Sequence, residues 1–94
     1  MPKLNPILHQ ELRLSIVSYL VTIEKADFNR LLEVTSASKG NLSVQITSLQ
    51  KAGYIQVNKS FKGNYPHTQC KITAAGRTAF EQYLKDLKTL LNLS

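Results

Sequence analysis

The chain has no tryptophan, one cysteine, three prolines and four glycines in 94 residues. A lone cysteine cannot close an internal disulfide, which fits a reducing compartment. So few prolines and glycines do not describe a disordered or repetitive chain. The longest apolar runs are only a few residues, too short to span a bilayer, so no membrane partner is expected. The opening MPKLNPILHQE has neither a continuous apolar stretch nor a small-residue cleavage site. No secretory signal is expected from it, and the expected location is cytoplasmic.

The most telling absence is of one charge sign. From Ser38 to Lys71 there is no Asp or Glu, while Lys39, Lys51, Lys59, Lys62 and Lys71 fall inside the span. Residues 1–37 carry four bases and four acids, and residues 74–94 carry three bases and two acids. Almost all of the net charge of +6 therefore sits in the middle third. Charge gathered in this way reads either as solvated lysines, common in basic proteins, or as a surface that meets a polyanion.

Length and a hydrophobic content of 43% suit a single domain over residues 1–94. Asn5-Pro6 reads as a helix start, with Leu8, Leu12, Ile16 and Leu20 at helical spacing, predicting a first helix over about 6–21. Residues 26–28 fit a brief strand. A second helix is predicted over 29–35 with Leu31, Leu32 and Val34 inward. Ser38 is a good cap for a third helix, and Gly53 suits the left-handed position past its end. Tyr54 to Lys59 alternates as a strand, FKGNYPH (61–67) carries loop residues, and Thr68 to Ile72 is the return strand with Cys70 and Ile72 inward. Thr73 can cap a last helix over about 74–91.

On a helical wheel Leu42, Gln45, Ile46 and Leu49 form the inner face of the third helix. The opposite side gathers Gly40, Val44, Thr47 and Lys51, flanked by Ser43, Asn41 and Ser48, and Ser38 and Lys39 open the helix ahead of it. Small, polar and cationic, this side suits a major groove about 12 Å wide. Asn41 has the donor and acceptor to bond adenine in a bidentate way, and Lys39 can reach guanine or a phosphate. Ser43, Thr47 and Ser48 can bond phosphates or bases. Gly40 admits close approach. Val44 either packs against a thymine methyl or is an ordinary exposed apolar residue.

The hairpin carries Lys59, Lys62, Asn64, Tyr65, His67 and Lys71, a set that can follow the sugar-phosphate backbone or enter the adjacent minor groove. Its other reading is an ordinary solvated loop. Catalysis is not expected. The six acids are scattered, and no nucleophile triad order, phosphate-cradling glycine loop or metal motif occurs. His9, His67 and Cys70 lack ligand spacing, so neither metal nor cofactor is expected. Cys70 reads as a small core residue rather than a redox switch.

Several motifs together are similar to the winged helix-turn-helix regulators. They are RLSI (13–16), DFN (27–29), KGNLS (39–43), LQKAGYI (49–55), FKG (61–63) and ITAAGR (72–77). Over about residues 6–88 the chain resembles the compact, stand-alone winged helix DNA-binding domain transcriptional regulators, relatives of the multiple-antibiotic-resistance (MarR) and arsenic-repressor (ArsR) types. The resemblance implies an α+β, mostly helical winged helix-turn-helix fold. It also implies a cytoplasmic prokaryotic homodimer on a pseudo-palindromic operator, the third helix in the major groove and the hairpin as wing. The last helix is longer than a small core needs. Phe80, Leu84, Leu87, Leu90 and Leu91 of about 80–91, with Leu8 and Leu12, are expected at a dimer contact. The alternative is a last helix that only covers the first within one subunit. A small-molecule effector could lie only at the dimer contact or between the first helix and the wing, and no residues specify one. The rival functional reading is a winged-helix protein-interaction module without DNA binding, and RNA is a weaker third. The acid-free span favours double-stranded DNA as partner.

Overall fold

In the computed structural model, which describes residues 2–92, Asn5 and Pro6 open a single turn and not a helix. The Asn5 Oδ1 accepts from the amides of Ile7 and Leu8 at 2.8 and 3.3 Å. The first helix, α1 (Glu11–Ile23), starts later, with the Gln10 side chain accepting from the Arg13 amide at 2.7 Å. This corrects the expected start near residue 6. Gln10 is extended (φ −151°, ψ 128°), which breaks the turn from the helix. Arg13 also reaches back, donating through Nε to the Ile7 carbonyl at 2.6 Å. A continuous helix would need that carbonyl for the amide four residues on.

The strand β1 (Lys25–Asp27) leads into α2 (Phe28–Thr35), where the Asp27 carboxylate accepts from the Arg30 amide at 2.8 Å. Leu31 is buried, but Val34, expected inward, is exposed. It lies in the last turn of an eight-residue helix whose buried residue is Leu31. Ser38 caps α3 (Lys39–Lys51), its hydroxyl accepting from the Asn41 amide at 3.1 Å. Gly53 follows at φ +80°, the left-handed exit expected of it.

The hairpin departs from expectation. Residues 61–67 are not a loop: β2 (Ile55–Lys62) and β3 (Tyr65–Ile72) pair from Ile55↔Ile72 out to Lys62↔Tyr65. Only Gly63-Asn64 remain as the turn. Gly63, the first central residue, has φ +64°, as a type II′ hairpin turn requires. Pro66 is tolerated because of the ladder's alternation. Lys62↔Tyr65 close the turn, so Pro66 is a non-hydrogen-bonded partner of Phe61 and its missing N–H faces away from β2. On that side the neighbouring β1 ends at Asp27↔Gln69, and no ladder bond is lost. The sheet is antiparallel with order β1-β3-β2.

The last helix, α4 (Ala74–Leu90), begins at Thr73, whose Oγ1 accepts from the Gly76 amide at 3.0 Å. Gly76 presses its Cα face onto the backbone of Tyr54. A Cβ there would overlap the Tyr54 carbonyl oxygen and sit 2.9 Å from Ile72 Cδ1. Alanine adds about 1 kcal/mol of helix propensity, but the overlapping atom is backbone and cannot rotate away. Gly76→Ala is therefore expected to destabilise by a net ~1–3 kcal/mol. Urea unfolding followed by circular dichroism reads this, and an unchanged or raised midpoint would refute the close contact.

The core joins one face of the sheet to α1, α2, α3 and Tyr83 of α4. Leu8 is fully buried and Leu12 nearly so. Both were expected at a dimer contact, and both belong to the protomer's own interior. The turn ahead of α1 tucks Leu8 inward, and Leu12 follows it on the same stripe. Cys70 is wholly buried, and that burial pushes its thiol pKa up to about 11, so it packs as an un-ionised small apolar group. The radius of gyration is 14.1 Å, against about 12 Å for a compact chain of this length. The least buried ends, the hairpin tip and the end of α4, project from the body. No helix among the described residues is long and apolar enough to cross a membrane.

Candidate nucleic-acid interface

Leu42, Ile46 and Leu49 anchor α3 in the core, which turns its other side outward. Ser38, Lys39, Gly40, Asn41, Ser43, Val44, Thr47 and Lys51 are exposed, and Ser48 is half-buried. Val44, β-branched and apolar, is 62% exposed. Among the described residues no other element covers the exposed positions of this face. The Thr47 hydroxyl donates to the Ser43 carbonyl at 3.0 Å, leaving its oxygen lone pairs turned to acceptance.

The half-buried Gln45 does something the sequence did not reveal. Arg13 Nη1 donates to Gln45 Oε1 at 2.5 Å, and Gln45 Nε2 donates to Asn41 Oδ1 at 3.2 Å. A guanidinium only donates, so it fixes which end of the Gln45 amide faces it. Gln45 in turn fixes the Asn41 amide. One lone pair of Asn41 Oδ1 and its whole amino group remain free. An acceptor beside a donor is the edge that complements N6 and N7 of adenine. The sequence pattern placed Gln45 on the inner face of the helix and gave no partner for it. It could not pair residues 32 positions apart.

The strand register sorts the hairpin into two faces. Val57, Lys59 and Phe61, with Pro66, Thr68 and Cys70, share the face that meets the core. Near its foot, Lys59 and Thr68 form one wall of a groove, with Ser43, Thr47 and Gln50 of α3 on the other. Pro66 and His67 continue that wall beside Ser43 and, at the start of α2, Asp27 and Asn29, so one carboxylate borders the groove at this end. The helix α3 and the hairpin thus converge along one side of the molecule. Lys62, Asn64 and Tyr65 are exposed at the tip, and His67 is half-buried.

Lys71 stands apart from the expected wing set. It lies at the foot of β3, opposite Lys25 and Gln56, with Nζ 3.7 Å from Glu24 Oε1. An acid from outside the acid-free span neutralises it. Lys39, Lys51, Lys59 and Lys62 pair with no acid among the described residues. Phe61, given no role from the sequence, is 74% exposed near the tip, and Tyr65 is 78% exposed. A ring left in water at a strand position is a signal visible only once the hairpin is built.

Along α4, Phe80, Leu87 and Leu90 are half-buried, Leu84 is exposed, and Leu91 just past its end is 56% exposed. Phe80 and Leu87 pack against the protomer's own core, and Leu84, Leu90 and Leu91 continue the apolar strip toward the end of the helix.

Comparison with known proteins places this geometry. Residues 12–91 match the family model described as a winged helix DNA-binding domain. The chain is 31% identical over 84 residues to the uncharacterized protein MJ0432 of Methanocaldococcus jannaschii, covering 89% of this chain and 91% of that one. A solved structure of a transcriptional regulator homologue from Pyrococcus horikoshii OT3 superposes with a TM-score of 0.84 at 29% identity, over 92% of this chain and 85% of that chain. The crystal structure of NadR in complex with 4-hydroxyphenylacetate shares the fold with a TM-score of 0.69 at 23% identity, over 93% of this chain and 64% of that chain.

Proposed function

The chain belongs to the winged helix DNA-binding domain family, and from that premise we propose that it is a homodimeric transcriptional regulator binding double-stranded DNA in a sequence-specific way. The observation that carries this reading is the joint one. An uncovered, acid-free face of α3 opens onto the same groove as an acid-free hairpin. The relative from Pyrococcus horikoshii, a transcriptional regulator homologue, supports the regulatory role.

In this reading α3 lies in the major groove. Asn41, held by Gln45, reads an adenine, while Lys39 reaches a guanine or a phosphate beside it. Val44 packs on a thymine methyl. Ser38, Ser43, Thr47, Ser48 and Lys51 bond the backbone around the helix, with Gly40 letting the two backbones approach. Lys59, Lys62, Asn64, Tyr65 and His67 lie along the sugar-phosphate backbone and the adjacent minor groove. The apolar strip of Phe80, Leu84, Leu87, Leu90 and Leu91 packs against its copy on a second protomer. A twofold pair presents two recognition helices to two half-sites.

Selection of bound duplexes from a random library tests the whole reading. The expected product is an inverted repeat with half-site centres about one helical turn apart. Failure to enrich any sequence would defeat it. On the selected site, Asn41→Ala is expected to cost ~1–3 kcal/mol and to relax preference at one A·T pair alone. An equal loss on every sequence would reduce Asn41 to a phosphate contact.

A further inference from the structure

We propose that the wing is a wedge: Phe61, backed by Pro66, enters a base step of the minor groove next to the α3 site and bends the duplex. This rests on the DNA-binding reading above and adds a deformation to it.

Phe61 is 74% exposed and takes no part in the core cluster. It is nonetheless part of the paired ladder. Its cross-strand partner is Pro66, in a non-hydrogen-bonded pair, where opposing side chains come closest. The turn beyond is only two residues long. Phe61 and Pro66 therefore make a short apolar block on a stiff ribbon. That block lies on the face which, two residues nearer the foot, carries Lys59 and Thr68 along the α3 groove. Two residues of strand are about 7 Å, so the block extends the wall beside which the duplex would lie.

Charge selects the occupant. Lys59 shares the face of Phe61, Lys62 stands next to it on the opposite face, and the hairpin holds no acid to repel phosphate. An apolar docking site for a protein segment would not need cations on both sides. A wing that only follows the backbone would need the cations but not the ring. A ring on a ribbon that carries Lys59 on the same face and Lys62 on the other fits a groove whose walls are phosphate and whose floor is stacked bases. Apolar side chains inserted there unstack a step and kink the duplex by roughly 20–90°. Pyrimidine–purine steps yield most easily, so the selected sites should carry TA or CA at the wing position, outside the bases that α3 touches.

Two measurements on a selected duplex test the proposal: energy transfer between end labels, and 2-aminopurine fluorescence at the wing step. With the wild-type chain the ends should approach and the fluorescence should rise. Phe61→Ala should keep its fold by circular dichroism, remain bound with an unaltered salt slope, and lose both signals. Phe61→Leu should restore most of the bend. Lys62→Ala should do the reverse of the alanine variant at Phe61, flattening the salt slope while the bend persists. A straight duplex in the wild-type complex, or a bend indifferent to Phe61→Ala, would overturn the wedge and leave DNA binding standing. No binding to any duplex would defeat the parent reading itself.

Discussion

Alanine at Lys39, Lys51, Lys59 and Lys62 together is expected to lower affinity for a duplex of arbitrary sequence by about 10³-fold at 0.1 M salt. Each lysine that neutralises a phosphate releases condensed counterions on binding. Each should add about 0.9 to the slope of log affinity against log salt, so the fourfold variant should flatten that slope by about 3 to 4. The four are exposed and pair with no acid among the described residues, so their removal should leave the fold intact. Lys71→Ala provides the internal contrast. Its ammonium lies 3.7 Å from the Glu24 carboxylate at the foot of the sheet, and the slope should barely change. Fluorescence anisotropy across a salt series reads both variants. Equal effects of Lys71 and the other four would mean that only net charge matters and that their placement does not.

Leu8→Ala is expected to cost ~2–5 kcal/mol of stability, through lost burial and a cavity beneath the N-terminal turn. Domains of this kind hold only about 5–15 kcal/mol in total, so the variant would be at the edge of folding at growth temperature. Leu8 is fully buried although it precedes every regular element. Arg13 holds the turn around it through the Ile7 carbonyl, and Asn5 Nδ2 ties the same segment to the Tyr54 hydroxyl at 2.8 Å. Leu91→Ala should behave oppositely. More than half exposed, it should leave the urea midpoint of dilute protein almost unmoved and weaken self-association in light scattering. A loss of less than about 1 kcal/mol for Leu8→Ala would return that residue to the surface.

These two leucines show what could be read from the chain and what could not. Ser38, Thr73 and Gly53 were legible because a cap or a left-handed exit depends on residues three or four apart. The inner face of α3 was legible because its period is strong. The N-terminal turn was not, because what stops it is a guanidinium arriving from the next helix. The hairpin tip was misjudged for a related reason. Gly63, Asn64 and Pro66 are loop formers by composition, yet two of them make the turn and the third falls where β3 has outrun β1. The acid-free span picked out two elements that the fold sets along one groove. It did not show that Glu24 comes to Lys71 from outside the span. The Arg13–Gln45–Asn41 relay left no sequence signal at all, since each residue alone is unremarkable and only packing brings them together.

The account turns on α3 and the hairpin acting as one surface. The most direct measurement is the change in backbone amide NMR signals of the isotope-labelled chain as duplex is added. Perturbations should appear together across residues 38–51 and 59–67, with the inner strip of α4 unaffected at that step. Perturbation of one element without the other, or confined to the leucines of α4, would contradict the account.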